Sequence, residues 1–192
     1  MNNLPAKVVL SIRPKEYLKQ GPVHCGMYAI KGILSAYGLD KHKNPEDYHP
    51  NFVGKITGTT LPWTFQQVLR KYGLRAEIRL AQGSKEDKIN LLKKFLRKDQ
   101  SVVLLIGNGY QQNGDYFSHR AKFSLHWITL WGFDDSDRVF YVYDSAVPKD
   151  KYDRDLPIGN KKRKYEDIVR DWGAGIISFG FWKYLYISVT KS

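Results

Sequence analysis

Apolar positions recur at helical spacing in three early stretches of the chain, then give way to short continuous or alternating apolar runs. Met27, Ile30, Ile33, Leu34 and Tyr37 share one helical face, and Gly38 stands where a helix closes in the left-handed conformation. This predicts a helix from about Gly26 to Tyr37, with Cys25 at its N-terminus. Pro62 suits a first turn, and Phe65, Val68, Leu69 and Tyr72 form a second stripe ended by Gly73. Ser84 with Asp87 resembles a capping box opening a third helix, buried through Ile89, Leu92, Phe95 and Leu96.

Beyond that helix the period changes. Ser101 to Ile106 reads as a strand buried on both sides, ended by Gly107, Asn108 and Gly109. Trp127 to Phe133 and Val139 to Tyr143 read as a hairpin around the turn residues Asp134, Asp135, Ser136 and Asp137. A short helix from Glu166 to Trp172 precedes a last strand pair, Ile176 to Ser178 and Phe181 to Val189. Helices first and antiparallel strands after predict an α+β fold. Ser145 to Lys164, rich in charge and turn residues, reads as a long surface loop and a mobile flap whose Lys161 to Lys164 contact a substrate.

Composition narrows the class. No repeat or linker divides the 192 residues, a length that one core can serve, so a single domain over 1–192 is expected. No apolar run approaches the roughly 20 residues of a membrane span, and the N-terminus lacks the apolar core of a secretory signal. Synthesis in the cytoplasm is expected, with delivery to another compartment or a host cell left open. One cysteine rules out an internal disulfide and any zinc site built on cysteine pairs, and no cofactor is called for. The excess of 31 basic over 19 acidic residues, net +12, suits an acidic protein or an anionic surface as partner, or a merely solvated basic surface. No nucleic-acid-binding motif accompanies the charge.

The candidate chemistry begins at Cys25. A helix N-terminus carries unpartnered N–H groups and partial positive charge, so a thiol there ionises more easily than in solution. By itself a lone cysteine before a helix reads first as a small buried hydrophobe, and its surroundings shift the balance. Gln20 lies upstream across Gly21 and Pro22, near enough to supply a side-chain donor for an oxyanion beside the Cys25 N–H. If Phe133 pairs with Asp137, the hairpin register carried back sets His126 directly opposite Asp144, close enough for a carboxylate to orient an imidazole. A one-residue slip would separate them. A His–Asp pair can also be no more than satisfied core polarity. His24, beside Cys25, reads as a neighbour that modulates the thiol, and His119 competes as the base.

The segment Q-G-P-V-H-C-G-M-Y-A-I-K-G-I-L from Gln20, with H-W-I-T-L-W-G-F-D from His126 and V-Y-D-S ending at Ser145, resembles the papain-like superfamily. Within it, the chain is similar to peptidase C39-like bacterial domains, related to those that cut bacteriocin leaders. The resemblance implies a helical N-terminal part with the nucleophile at a helix start, packed on a C-terminal antiparallel sheet. It also implies Cys25 as nucleophile, His126 as base, Asp144 as its orienter and Gln20 in the oxyanion hole. Two departures stand out. The family's glutamine more often precedes its cysteine by six residues, and its aspartate is usually followed by proline where this chain has Ser145. The implied reaction is cysteine-dependent hydrolysis of a peptide or isopeptide bond. A protein-glutamine deamidase, transglutaminase or acyltransferase would use the same residues, and a catalytically idle basic binding module is the alternative from another class.

Overall fold

The computed structural model describes residues 5–110, 115–117, 119–174 and 181–191. In chain order the elements are β1 (Lys7–Val9), α1 (Cys25–Ala36), α2 (Phe52–Thr57), α3 (Pro62–Lys71) and β2 (Leu74–Leu80). They continue through α4 (Lys85–Arg97), β3 (Val102–Gly107), β4 (Leu125–Asp134), β5 (Val139–Tyr143), β6 (Lys161–Lys164), α5 (Tyr165–Trp172) and β7 (Leu185–Lys191). The α+β expectation holds.

Local chemistry explains the helix ends. Ser84 and Asp87 close the capping box of α4: the Ser84 hydroxyl accepts from Asp87 N–H at 3.2 Å, and the Asp87 carboxylate accepts from Ser84 N–H at 2.8 Å. The Asn51 side chain accepts from Gly54 N–H at 2.8 Å to start α2, and Gly58, at φ 71°, ends it.

All pairings between the strands are antiparallel, in the order β2-β7-β3-β4-β5-β6, with β1 on the same edge of β4 as β3 but further along. Every residue of the central β3 is buried because helices cover both faces of the sheet. On one face, Phe65 of α3 packs 4.6 Å from the Trp127 ring and Gly32 of α1 lies under Tyr143. On the other, Lys93 of α4 stands over Phe133, and Tyr165 of α5 packs 4.6 Å from Phe140.

Two expectations are corrected. The hairpin turn is longer than assumed, so Phe133 pairs with Phe140 and not Asp137, a three-residue offset that would turn His126 and Asp144 to opposite faces. An irregularity between Leu130 and Gly132 takes back one residue, and Thr129 then pairs with Tyr143. The remaining offset is even, so His126 and Asp144 stay on one side as diagonal neighbours, a spacing that a long or aromatic side chain bridges.

The segment from Ser145 to Lys164 is not a flap. It holds a short 3-10 helix, Lys149–Lys151, and strand β6, which zips onto β5 from Val139↔Lys164 to Val142↔Lys161. Asn160 and Arg163 are buried, the latter ion-paired with buried Asp171. The basic cluster therefore alternates in and out as a strand and presents no uniform cationic surface.

The pattern missed β1, β2, α2 and β6, all short or placed at a sheet edge. The last strand starts at Leu185 instead of Phe181. The expected strand Ile176 to Ser178 lies outside the described residues. Part of the basic charge is spent internally. Lys31 bonds Asp40 at 2.9 Å, and Lys93 bonds Asp135 at 2.6 Å, so α4 is less of a cationic face than its sequence suggests.

Candidate active site

Cys25 is the first residue of α1, and His24 before it adopts a left-handed backbone (φ 77°) that turns the incoming chain onto the helix axis. No side chain caps this end; the Met27 N–H bonds the His24 carbonyl at 2.8 Å, closing the first turn behind Cys25 and Gly26. His24 does not act on the thiol through its ring, which bonds Lys55 carbonyl at 2.7 Å and ties the helix start to α2. Gly26 is required by a close approach, since a Cβ there would lie 2.4 Å from the Thr60 side chain. Thr60 is held in turn by Trp127, whose Nε1–H donates to its carbonyl at 3.0 Å. Gly26→Ala should therefore push the Thr57 to Leu61 wall outward, lowering stability by about 1–3 kcal/mol and reducing activity; thermal melting and a labelling rate at Cys25 check both.

His126, near the start of β4, is 1% exposed and Asp144, just past β5, is 0% exposed. Their side chains meet at 2.7 Å between Nε2 and Oδ1. The Cys25 side chain shares the cleft with the imidazole and favours its charged form. With Nε2 committed to Asp144, Nδ1 is the nitrogen that remains for sulfur. Burial disfavours charge on the ring, but the attraction and hydrogen bond of Asp144, with the influence of the neighbouring Cys25 side chain, outweigh it and hold the imidazole above its ordinary 6.5. Burial likewise works to raise the Asp144 carboxyl, yet the attraction and hydrogen bond of His126, then Arg163 and the Ala146 N–H, hold it below the usual carboxylate range.

Gln20 joins this group. It is 8% exposed, its N–H donates to Ser145 carbonyl at 2.9 Å, and its Oε1 accepts from the Ser145 hydroxyl at 2.5 Å. Gln20, Cys25 and His126 share a cleft of about 350 Å3 with Leu105, Trp127 and Trp182 among its walls. A larger hollow of about 850 Å3 runs along β2 beside Arg70, Arg75 and Arg79, but it contains no nucleophile beside a base.

All four residues singled out from the sequence thus converge. His119 does not: it lies in an exposed turn, its ring 5.9 Å from that of Phe117. Asn160 was missed. Its Oδ1 accepts from Asp144 N–H at 2.8 Å and its Nδ2 donates to Asp144 carbonyl at 2.9 Å, fixing the backbone under the carboxylate. An asparagine inside a charged stretch gives no local signal of this. Among the described residues, no group of three or more His, Cys, Asp or Glu side chains could hold a metal ion, and no helix is long and apolar enough to cross a membrane.

Residues 12–173 match the family model described as Peptidase_C39 like family. The chain belongs to the peptidase C39-like family. It is therefore a peptidase-type hydrolase on a papain-like α+β scaffold. Solved structures agree on the fold. A C39-like peptidase from Bacillus anthracis superposes with TM-score 0.59 at 15% identity, covering 97% of this chain and 98% of that one. A double glycine motif protease from an AMS/PCAT transporter, in complex with its leader peptide, superposes with TM-score 0.56 at 16% identity, covering 97% and 99%. No curated protein matches the sequence.

Proposed function

We propose that the chain is a cysteine peptidase in which Cys25, His126 and Asp144 form the catalytic triad and Gln20 with the Cys25 N–H forms the oxyanion hole. The observation that carries this reading is the fully buried His126–Asp144 pair, bonded at 2.7 Å, whose imidazole shares a cleft with the one thiol and is influenced by it. A buried ionic pair that served only packing would gain nothing from a nucleophile in the cleft beside it.

In the reaction the Cys25 thiol gives its proton to His126, and the sulfur adds to the substrate carbonyl carbon. The carbonyl electron pair collects on oxygen, held by the Gln20 amide and the Cys25 N–H. As the oxyanion collapses, the C–N bond breaks and the leaving amine takes the proton from His126. Water, deprotonated by His126, then cleaves the thioester through a second oxyanion and restores the thiol. Asp144 holds the ring in place and stabilises its charged form throughout.

The substrate is read as a peptide or protein segment, in keeping with the family and with the leader peptide bound by the transporter protease. Transfer of the acyl group to an acceptor other than water, or attack on a glutamine side-chain amide, would use the same machinery. Product analysis by mass spectrometry separates these. Hydrolysis yields a new carboxyl and amine, whereas deamidation raises the substrate mass without cutting the chain.

The raised affinity of His126 for its proton sets the alkaline side of the pH profile. Because the charged imidazole persists to higher pH and is lost only as pH climbs through its folded value, kcat/KM should hold through neutrality and fall on the alkaline side, not near 6.5. Measured profiles for wild type and Asp144→Asn check this, with the fall displaced to lower pH in the variant.

A further inference from the structure

We propose that Ser145 is the positioning residue of the oxyanion hole, its hydroxyl setting which end of the Gln20 amide faces the cleft. This rests on the reading of Gln20 given above and adds the device that makes a glutamine usable there. A glutamine side chain is flexible and two-faced. With its NH2 toward the substrate it stabilises an oxyanion, and with its carbonyl there it opposes one. Something must select between the two.

Ser145 is 2% exposed, so its hydroxyl hydrogen must find an acceptor inside the protein. Gln20 Oε1 is that acceptor at 2.5 Å. With the oxygen so engaged, the NH2 takes the other arm of the amide. The opposite orientation would leave the Ser145 hydrogen without this acceptor.

The bond is one half of a clasp. Gln20 N–H donates to Ser145 carbonyl at 2.9 Å, so the same two residues are joined at main chain and side chain. The neighbouring residues reinforce it: the Tyr143 hydroxyl donates to Leu18 carbonyl at 2.9 Å, and the Tyr152 hydroxyl donates to Tyr17 carbonyl at 3.2 Å. The arm carrying Gln20 is thereby laid along the end of β5 and the segment that follows. Adjacent residues then serve the two halves of the site. Asp144 orients the base and Ser145 orients the donor, both on a backbone gripped by Asn160.

Two small reagents separate this role from general support of the fold. p-Nitrophenyl acetate acylates a thiol through an oxyanion: sulfur bonds to the carbonyl carbon, the electron pair moves to oxygen, and p-nitrophenolate then leaves. Iodoacetamide alkylates the same sulfur by displacing iodide from saturated carbon, and no oxyanion forms. Rates at Cys25 are measured with both reagents, with Cys25→Ala as background.

Ser145→Ala should slow Cys25-dependent acetylation about tenfold or more, a share of the roughly 100-fold to 1000-fold that one oxyanion donor is worth, while alkylation stays within about twofold. Ser145→Thr, which keeps the hydroxyl, should recover most of the loss. Gln20→Ala should slow acetylation at least as much, and the double variant should match Gln20→Ala alone because Ser145 acts through that side chain. Normal acetylation in Ser145→Ala with slow acetylation in Gln20→Ala overturns the role of Ser145 and leaves that of Gln20 standing. Normal acetylation in Gln20→Ala overturns both. Equal slowing of the two reagents in Ser145→Ala, or full additivity in the double variant, shows a structural residue and also overturns the proposal.

Discussion

Cys25→Ala should lower turnover on the order of a million-fold, as loss of the nucleophile does in triad enzymes, and should leave no acyl-enzyme detectable by intact mass. The size follows from the geometry around His126. Asp144 orients the imidazole at 2.7 Å beside Cys25, so removing the sulfur leaves the oriented base without the nucleophile it serves. Hydroxyls of Thr57, Thr59, Thr60 and Ser124 also line the cleft, but Thr57 bonds Thr59 at 3.1 Å and Thr60 bonds the Gly58 carbonyl at 3.3 Å. Folding should change little, because the substitution removes one partly exposed sulfur at a helix start. Binding of an anionic partner through the net +12 surface should persist in this variant and weaken with salt. Retention of wild-type activity by Cys25→Ala would place the function in that surface and remove the enzyme reading.

Asp144→Asn should cost about 10,000-fold in kcat, the scale seen when a triad aspartate is replaced. Oδ1 of Asp144 accepts from both His126 Nε2 and the Ala146 N–H at 3.0 Å, whereas Oδ2 is buried without a hydrogen-bond partner. An asparagine has two ways to sit there. With its oxygen at the Oδ1 position, the new NH2 is buried where nothing accepts from it, at a cost of about 1–3 kcal/mol. With its NH2 toward His126, it requires an unprotonated Nε2, which moves the remaining ring proton to Nδ1, the nitrogen that must accept from sulfur. Both arrangements also lose the negative charge that favours the imidazolium. The expected result combines a large fall in kcat with a modest fall in melting temperature, and kinetics alongside thermal unfolding check the two together.

The candidate residues were more legible in the sequence than the geometry that brings them together. Cys25 stood out because a helical stripe begins right after it and Gly38 ends that stripe, both local signals. His126 and Asp144 could be paired only through an assumed register. Their meeting depends on a long turn that shifts the ladder by three residues and an irregularity near Trp131 that returns one. No residue in Asp134 to Asp137 announces the longer turn, because turn-forming side chains suit several loop lengths. The stretch from Ser145 to Lys164 was misread because its charges suggested solvent. The buried ion pair Arg163–Asp171 and the Asn160 clasp join different elements, which composition cannot reveal. β2 escaped notice for a similar reason. Its Arg75, Glu77 and Arg79 line up along the sheet edge, where charge is tolerated, and pair with one another.

The most direct measurement of the proposed triad is mass spectrometry of the intact chain after exposure to a set of peptidyl acyloxymethyl ketones, electrophiles too weak to modify an unassisted thiol at speed. Wild type should acquire one adduct, mapped to Cys25, at rates that differ among the peptides. His126→Ala should acquire it far more slowly while melting as a folded protein. No adduct on wild type, or equal rates in wild type and His126→Ala, would contradict a thiol activated by His126.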